Sequence, residues 1–408
     1  MKRRLEDLAI FGGPAAFPDR LLVGRPNLGD RSRLFARLED MLERRWLTND
    51  GPYVLEFEER LAARAGVRHC VAMVNATVGL EIVARACGLA GEVIVPAFTF
   101  IATAHALQWQ HITPVFCDID ERTHNIDPAK IEALITPRTT GILAVHVWGR
   151  PAPIDELTAI ARRHGLRLVF DSSHAVACTW RGRPIGGFGD AEVFSFHATK
   201  LLNAFEGGAV VTDDDALAAG LRSMRNFGIS GYDEVAGLGI NGKMNEASAI
   251  MGLTCLEGLD DFIAINRRNY HAYRKALAGI AGVQYCEYDE RESCNYQYIV
   301  LELSGDAGLT RDQLVKLLVA EGVVARRYFS PGCHRAEPYR SLAPGTAMGL
   351  PVTDLVAGRV VVLPTGTAVD EAAVEEVAGL VRFALDQGPA IARRLGPVRP
   401  SEVYEALG

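Results

Sequence analysis

The chain has 408 residues, of which 49% are hydrophobic and 23% are charged, and its formal net charge is −7. This length favours one large and one smaller domain, and the composition is typical of a globular protein in water. Basic and acidic residues are mixed along the chain, which argues against a nucleic-acid-binding surface. No apolar run is long enough to span a bilayer, and the N-terminus lacks a signal-peptide core. We therefore expect a cytoplasmic protein without nucleic-acid or membrane partners.

The cysteines show no Cys-x-x-Cys pair and no tight grouping with histidine. Most of them fall in apolar stretches, which indicates buried thiols in a reducing compartment rather than disulfides. We predict no metal site. The cysteines are Cys70, Cys87, Cys117, Cys178, Cys255, Cys286, Cys294 and Cys333.

After one predicted helix at Ser32–Arg45, short apolar runs alternate with helical patterns. Continuous apolar runs are typical of strands buried on both faces, so we predict a mostly parallel, seven-stranded α/β sheet with helices on both faces. Ligands bind at the carboxyl ends of such strands, where Asn75, Asp171 and Ser195 fall. The predicted strands are His69–Asn75, Glu92–Pro96, Thr113–Asp118, Gly141–Val147, Arg167–Asp171, Ala191–Phe196 and Gly207–Thr212.

The C-terminal part has a different pattern, which predicts a smaller α+β domain. A long helical region, Glu246–Ala278, is predicted to break once and to bridge the two parts of the chain. We therefore predict an N-terminal segment and large domain at 1–255, and the bridging helix and small domain at 256–408. The small domain's predicted elements are the strands Tyr296–Leu303 and Val360–Leu363 and the helices Asp312–Glu321 and Glu371–Leu385.

Lys200 and Asp171 carry the most informative pattern in the chain. Lys200 follows a strand that ends near Ser195, and Asp171 ends the preceding buried strand. Pyridoxal phosphate (PLP) needs such a pair, because a lysine amine forms the Schiff base and a carboxylate keeps the pyridine nitrogen protonated. His174 is close enough along the chain to reach the ring oxygen. Taken singly, a lysine just after a strand is usually a surface residue, and the alternatives for Asp171 and His174 are a helix N-cap and a structural histidine.

Two further segments fit the same cofactor. Asn75-Ala76-Thr77 joins a strand to a helix whose first N–H groups stabilise an anion, although Thr77 is also suited to capping that helix. Phe98 and Phe100 follow the next strand. Either aromatic ring could lie against the flat cofactor, with core packing as the alternative.

Together these motifs resemble the DegT/DnrJ/EryC1/StrS family of PLP-dependent sugar aminotransferases. The central match is Ser195–Lys200 followed by Glu206–Gly208, with Asp171 and His174 upstream. The likeness covers almost the whole chain. Other matching segments are Leu47–Pro52, Glu92–Pro96, Thr99-Phe100, Pro114–Phe116 with Asp118, Val145-His146 with Gly149, Gly186, Phe188–Asp190, Arg225-Asn226 with Gly228, Asn241, Lys243-Met244 and Glu246.

The resemblance implies an aspartate-aminotransferase-like PLP type I fold and a homodimer whose active sites lie at the subunit interface. It implies PLP as the cofactor and its amino form, PMP, as an intermediate. Two departures stand out: Ala76 replaces a frequent glycine, and Lys243 a frequent arginine that grips substrate phosphate. The implied roles are Lys200 as Schiff-base lysine and general base, Asp171 at the pyridinium, His174 at the ring oxygen, Phe100 over the ring, Ala76, Thr77 and Ser195 at the phosphate, and Asn241 at the partner subunit's phosphate.

The segment Ser195–Lys200 with Asn203 looks most like family members that act at C4 of nucleotide-linked 4-keto-6-deoxyhexoses, commonly carried on dTDP, with L-glutamate as amino donor. A C3-keto sugar or keto-cyclitol aminotransferase is the alternative. The family's dehydratases carry histidine where this chain has Lys200. Cysteine desulfuration would use Cys333 as a nucleophile on a mobile loop. A non-catalytic regulator that binds PLP or a sugar nucleotide belongs to a different class of function.

Overall fold

The computed structural model describes residues 2–342 and 349–407. Its strands are β1 (Leu21–Leu22), β2 (His69–Met73), β3 (Glu92–Pro96), β4 (Thr113–Cys117), β5 (Thr139–Val145), β6 (Arg167–Asp171), β7 (Thr179–Trp180), β8 (Arg183–Pro184), β9 (Ala191–Ser195), β10 (Gly208–Thr212), β11 (Ile229–Gly231), β12 (Glu234–Val235), β13 (Val283–Tyr285), β14 (Ile299–Leu303), β15 (Val323–Val324) and β16 (Val360–Leu363). Its α-helices are α1 (Arg31–Arg44), α2 (Pro52–Ala65), α3 (Ala76–Ala86), α4 (Ala102–Gln108), α5 (Pro128–Ile131), α6 (Ile154–His164), α7 (Asp215–Arg225), α8 (Glu246–Glu257), α9 (Leu259–Ala276), α10 (Arg311–Ala320), α11 (Tyr339–Leu342), α12 (Pro351–Arg359), α13 (Glu371–Asp386) and α14 (Gly388–Leu395).

The central sheet has seven strands in the order β2-β10-β9-β6-β5-β3-β4. All of them run parallel except β10, which is antiparallel to both of its neighbours. Helices α2, α6 and α8 pack on one face of the sheet, and α3, α4 and α7 pack on the other. The predicted strands and the two-sided helical cover are confirmed. The continuous apolar runs arise because neither face of the sheet meets water.

A second, three-stranded antiparallel sheet in the order β13-β14-β16 lies in the C-terminal part of the chain. Helices α9, α10 and α13 bury their apolar side chains in the same core as this sheet. The predicted helical bridge is present and breaks once, at Gly258 between α8 and α9. The division of the chain into domains at 1–255 and 256–408 stays a prediction.

The N-terminal segment crosses over to the C-terminal core, which the sequence pattern did not indicate. Leu8 and Leu21 are buried in that core, and β1 pairs in parallel with β15. The buried carboxylate of Glu321 accepts a hydrogen bond from the backbone N–H of Ala9 at 2.7 Å and pairs with Lys2 at 2.9 Å. Among residues 2–342 and 349–407, no helix combines the length and the apolar character needed to cross a membrane.

Candidate active site

The candidate active site lies at the carboxyl ends of β6 and β9, in the middle of the central sheet. Asp171 is the last residue of β6 and pairs with Val193 of β9, while Ser195 ends β9. Ser195 of β9 lies opposite Gly208 of β10. On its other side, Gly208 lies opposite Met73 at the end of β2. The sheet register therefore brings the predicted strand-end residues to one edge, as parallel strands require.

Lys200 follows β9 in a turn, where its backbone N–H donates to the carbonyl oxygen of His197 at 2.8 Å. Burial of the ammonium group lowers the pKa of Lys200 to about 8, against an opposing effect of the negative charge on Asp171. Water solvates a charged amine better than the protein interior does, so burial favours the neutral form. Lys200 is therefore a much more available nucleophile and base near neutral pH than an exposed lysine.

Asp171 is held by two hydrogen-bond donors. The hydroxyl of Thr103 donates to its Oδ2 at 2.8 Å, and the backbone N–H of Ser173 donates to its Oδ1 at 3.1 Å. The side chain of Asp171 does not cap a helix, because a turn and not a helix follows β6, so the N-cap alternative is wrong. Thr103 was missed in the sequence, although it lies four residues after Thr99, whose hydroxyl it contacts at 3.0 Å.

His174 is buried beside Lys200, and its protonation can be assigned from its neighbours. Burial, and then the positive charge of Lys200, lowers the pKa of His174 well below its ordinary value. The backbone N–H of Trp148 donates to Nδ1 at 3.3 Å. Because a backbone N–H cannot accept, Nδ1 carries the lone pair and the neutral ring carries its proton on Nε2. His174 thus presents Nε2 as a hydrogen-bond donor.

An aromatic wall formed by Trp148, Tyr298 and Phe329 encloses His174 and was not predicted. The rings of His174 and Phe329 are parallel within 4°, with centroids 5.9 Å apart, and Tyr298 meets His174 edge-on at 4.9 Å. Trp148 is stacked on Phe329 at 5.2 Å. Its backbone has φ 63°, an uncommon left-handed conformation in the turn after β5. Tyr298 and Phe329 come from the C-terminal part of the chain, so no local pattern connects them to Lys200.

The N-terminus of α3 forms a cradle for an anion next to Ser195. The Asn75 side chain caps the helix by accepting from the N–H of Val78 at 2.9 Å, so the alternative that Thr77 is the cap is wrong. The backbone N–H groups of Ala76 and Thr77 lie in the first turn of α3, so no carbonyl oxygen within the helix can accept from them. A Cβ on Gly208 would lie 2.5 Å from the Ala76 nitrogen, so only glycine lets β10 approach the helix here. These donors fit a phosphate group.

The two phenylalanines after β3 have different environments. Phe98 is fully buried and packs against Trp148 and Phe329. Phe100 is 56% exposed, which leaves its ring available to a ligand or a second chain. Of the two aromatic residues considered for the cofactor ring, the structure therefore leaves Phe100 as the candidate.

Asn241 is not brought to Lys200 by any contact in residues 2–342 and 349–407. It is exposed. The next residue, Gly242, contacts the chain just after β2, where its carbonyl oxygen accepts from the N–H of Val74 at 2.8 Å. Nearby, the Lys243 amine donates to Asn226 at 2.7 Å and lies 4.8 Å from the centre of the Phe227 ring. The role of Asn241 at the partner subunit's phosphate stays a prediction.

The chain matches the family model of the DegT/DnrJ/EryC1/StrS aminotransferases over residues 30–382. The chain belongs to this family. It is 33% identical over 362 residues to the dTDP-4-amino-4,6-dideoxy-D-glucose transaminase of Escherichia coli, covering 88% of this chain and 97% of that protein. It is 34% identical over 374 residues to the GDP-perosamine synthase of Caulobacter vibrioides, covering 90% and 98%. The crystal structure of DesI in the presence of its TDP-sugar product matches with a TM-score of 0.93 and 52% identity, covering 96% of this chain and 100% of DesI.

The protein is therefore a PLP-dependent aminotransferase with the predicted α/β fold. The residues present fit the cofactor, since the site offers a buried amine, a buried carboxylate, a histidine donor and an N–H cradle. Cysteine desulfuration is excluded by the environment of Cys333. Its thiol is 2% exposed and contacts the Thr99 carbonyl at 3.3 Å, and burial raises its pKa to about 12. It is neither a thiolate nor accessible.

The lowered pKa of Lys200 makes a prediction for the cofactor-free protein. Between pH 8 and its ordinary value of 10.5, the unfolded chain binds more protons at Lys200 than the folded chain. The free energy of unfolding should therefore rise with pH through this window. Lys200→Met removes the buried charge, so we expect a higher Tm at pH 7, with a gain of up to about 3 kcal/mol that shrinks toward pH 10.5. Thermal melts of both proteins across this range measure it, and parallel pH profiles would contradict it.

Proposed function

We propose that this aminotransferase moves the amino group of L-glutamate to the keto group of a nucleotide-linked 4-keto-6-deoxyhexose, forming the 4-amino-4,6-dideoxyhexose, with dTDP as the nucleotide. The observation that carries the proposal is Lys200, whose pKa is lowered to about 8 beside Asp171 and His174. The names of the relatives in Escherichia coli and Caulobacter vibrioides, and of DesI, support the substrate class.

Each residue of the site has a definite task in this proposal. When bound, PLP supplies an electron sink next to the bond that is broken. Lys200 would hold the cofactor through its amine, and its free amine would accept and return the proton on the substrate carbon. The negative charge of Asp171 would keep a proton on the ring nitrogen. His174 would donate from Nε2 to the ring oxygen, and Phe100 would cover the ring.

The phosphate of PLP would bind in the cradle at α3. Ala76 and Thr77 offer backbone N–H groups at the positive end of the helix dipole, and Ser195 offers a hydroxyl. Ala76 in place of glycine is compatible with this task, since the donor is a backbone N–H. The cradle would anchor one end of the cofactor and so help to orient it toward Asp171 and Lys200.

We also propose a homodimer, supported by two exposed apolar surfaces. One is helix α1 with the residues after it, and the other is the segment 227–240, where Tyr232 is 104% exposed and Leu238 is 66% exposed. Such side chains are unusual on a monomer surface, and Asn241 directly follows the second segment. A second copy of the chain would cover them and receive Asn241 at its phosphate. The exposed side chains of α1 and its continuation are Phe35, Leu42, Trp46 and Leu47.

Sedimentation measurements test the dimer, with the variant Leu238→Asp at the exposed segment. The wild type should sediment at twice the chain mass, and the variant should shift toward the monomer because a charge is buried without a partner. A wild type that stays monomeric at micromolar concentration would contradict the proposal.

We also propose that the enzyme works in the cytoplasm. Its eight free, buried thiols support this, because they suit a reducing compartment.

Product analysis tests the substrate. The enzyme is incubated with L-glutamate and dTDP-4-keto-6-deoxyglucose, and the position of the new amine is read by NMR. Amination at C4 supports the proposal. If only the GDP-linked sugar is turned over, the proposed nucleotide is wrong. If only a 3-keto sugar or a keto-cyclitol is turned over, the proposed substrate is wrong and the transaminase activity stands.

A further inference from the structure

A cavity of about 390 Å³ lies between Phe100 and the loop that follows β15. It adjoins the candidate active site, because its lining includes Phe100 and also Phe329, whose ring stacks parallel to His174. Its size is in the range of small-molecule sites. The cavity is lined by Thr99–Ile101, residues 326–333, Ala336 and Tyr404.

Positive charge exceeds negative charge at one wall of this cavity. Arg327 lines the cavity and lies 3.1 Å from the carboxylate of Asp312, which it shares with Arg311 at 2.5 Å, a buried arginine outside the lining. Arg327 also donates to the carbonyl oxygen of Pro400 at 3.0 Å. Arg326, which lines the cavity beside Arg327, makes no side-chain hydrogen bond or ion pair within residues 2–342 and 349–407. The chain as a whole has a net charge of −7, so this positive surplus is local to the cavity wall. A local surplus of this kind favours the binding of an anion.

Arg326 is unpaired, but its position is defined. Its backbone N–H donates to Val362 at 3.0 Å and its carbonyl accepts from Val362 at 2.8 Å, so the residue is tied to β16. Its guanidinium carbon lies 5.2 Å from the centre of the Tyr328 ring and 5.8 Å from that of Tyr404. Aromatic contacts hold the flat face of an arginine and leave its in-plane N–H donors free, in the fork that matches two phosphate oxygens.

We propose that Arg326 binds the diphosphate of the nucleotide sugar, in the cavity that Phe100 of the same subunit also lines. This inference rests on the proposed function. A diphosphate carries two negative charges and several acceptor oxygens, which complement the surplus charge of Arg326 and Arg327 and the fork of Arg326. The contact also supplies a bidentate grip that Lys243 lacks, since an ammonium is a point charge and this one donates to Asn226.

Calorimetric titration of dTDP into the PLP-loaded enzyme tests the proposal. Arg326→Ala should weaken dTDP binding by about tenfold or more, because it removes a charge-assisted contact. Arg326→Lys keeps the charge without the fork and should lie between the two. Thymidine, which has no phosphate, should bind the wild type and Arg326→Ala alike. Arg340→Ala is the matched control, because this exposed arginine pairs with Glu337 outside the cavity lining and its loss should leave dTDP binding unchanged.

Three results would overturn the inference. The first is dTDP binding to Arg326→Ala as tight as to the wild type, and the second is a wild type that does not bind dTDP. The third is a loss of L-glutamate affinity in Arg326→Ala in place of dTDP affinity, which would assign the guanidinium to the carboxylate of the donor. The proposed function has a separate readout, which is the bleaching of the wild-type visible absorption band by L-glutamate. This readout does not involve the nucleotide, so a failure of the proposed function can be told apart from a failure of the inference about Arg326.

Discussion

Replacing Lys200 with alanine is expected to abolish amino transfer, with kcat/KM falling by about 10³-fold or more. The variant loses both the amine that holds the cofactor and the base that moves the proton. Its fold should survive, because Lys200 lies in a turn after β9 and only its backbone N–H makes a described hydrogen bond. Steady-state assays with L-glutamate and the keto sugar, with circular dichroism and a thermal melt, measure both parts.

Two comparisons make this result specific. Lys275→Ala removes an exposed lysine near the end of α9 and should leave activity unchanged. Lys200→Arg keeps a positive charge but offers no amine that can be deprotonated near neutral pH, so it should be as inactive as Lys200→Ala. A Lys200→Ala protein with wild-type activity would remove the assignment of the catalytic lysine.

Asp171→Asn is expected to lower kcat by about 10²- to 10³-fold, because a neutral amide cannot keep the ring nitrogen protonated. The amide also turns an NH₂ group toward one of the two donors, Thr103 or Ser173, that the carboxylate satisfies. We expect the protein to bind PLP still, through Lys200 and the cradle at α3. The visible absorption spectrum and single-turnover rates with L-glutamate measure these effects separately.

Asp118→Asn is the matched control for Asp171→Asn. Asp118 directly follows β4 at the same edge of the sheet and is also buried, but its carboxylate accepts from the backbone and hydroxyl of Thr353 and pairs with Lys130. Its replacement should lower the Tm and leave the rate of the glutamate half-reaction nearly unchanged. Equal losses of activity in the two variants would show that the role of Asp171 is structural.

The seven strands of the sheet and the central pair of the site could be predicted because each depends on local sequence. A buried parallel strand is a continuous apolar run wherever it occurs, and its polar end residue falls at the ligand edge. Lys200, Asp171 and Ser195 follow or end such runs. Local sequence also left open whether Asp171 and Thr77 were helix caps, and the answer came only from where β6 ends and where α3 begins.

The remaining parts of the site depend on contacts between distant segments. Trp148 reaches His174 through a left-handed backbone conformation, and Tyr298 arrives from the second sheet. Arg326 is one of many arginines in the sequence, and only its lack of a carboxylate and its two tyrosine neighbours distinguish it. Burial likewise excludes Cys333 as a nucleophile, although its loop contains glycine and proline and was predicted to be mobile. Such properties belong to the folded chain and have no periodic pattern.

The measurement that tests the account most directly is the absorbance spectrum of the purified protein, recorded before and after L-glutamate and then after dTDP-4-keto-6-deoxyglucose. We predict a visible band from the lysine-bound cofactor that bleaches with L-glutamate and returns with the sugar, as both half-reactions require. A band that bleaches and does not return would keep the transaminase and remove this substrate. No visible band after addition of PLP would contradict the assignment of Lys200.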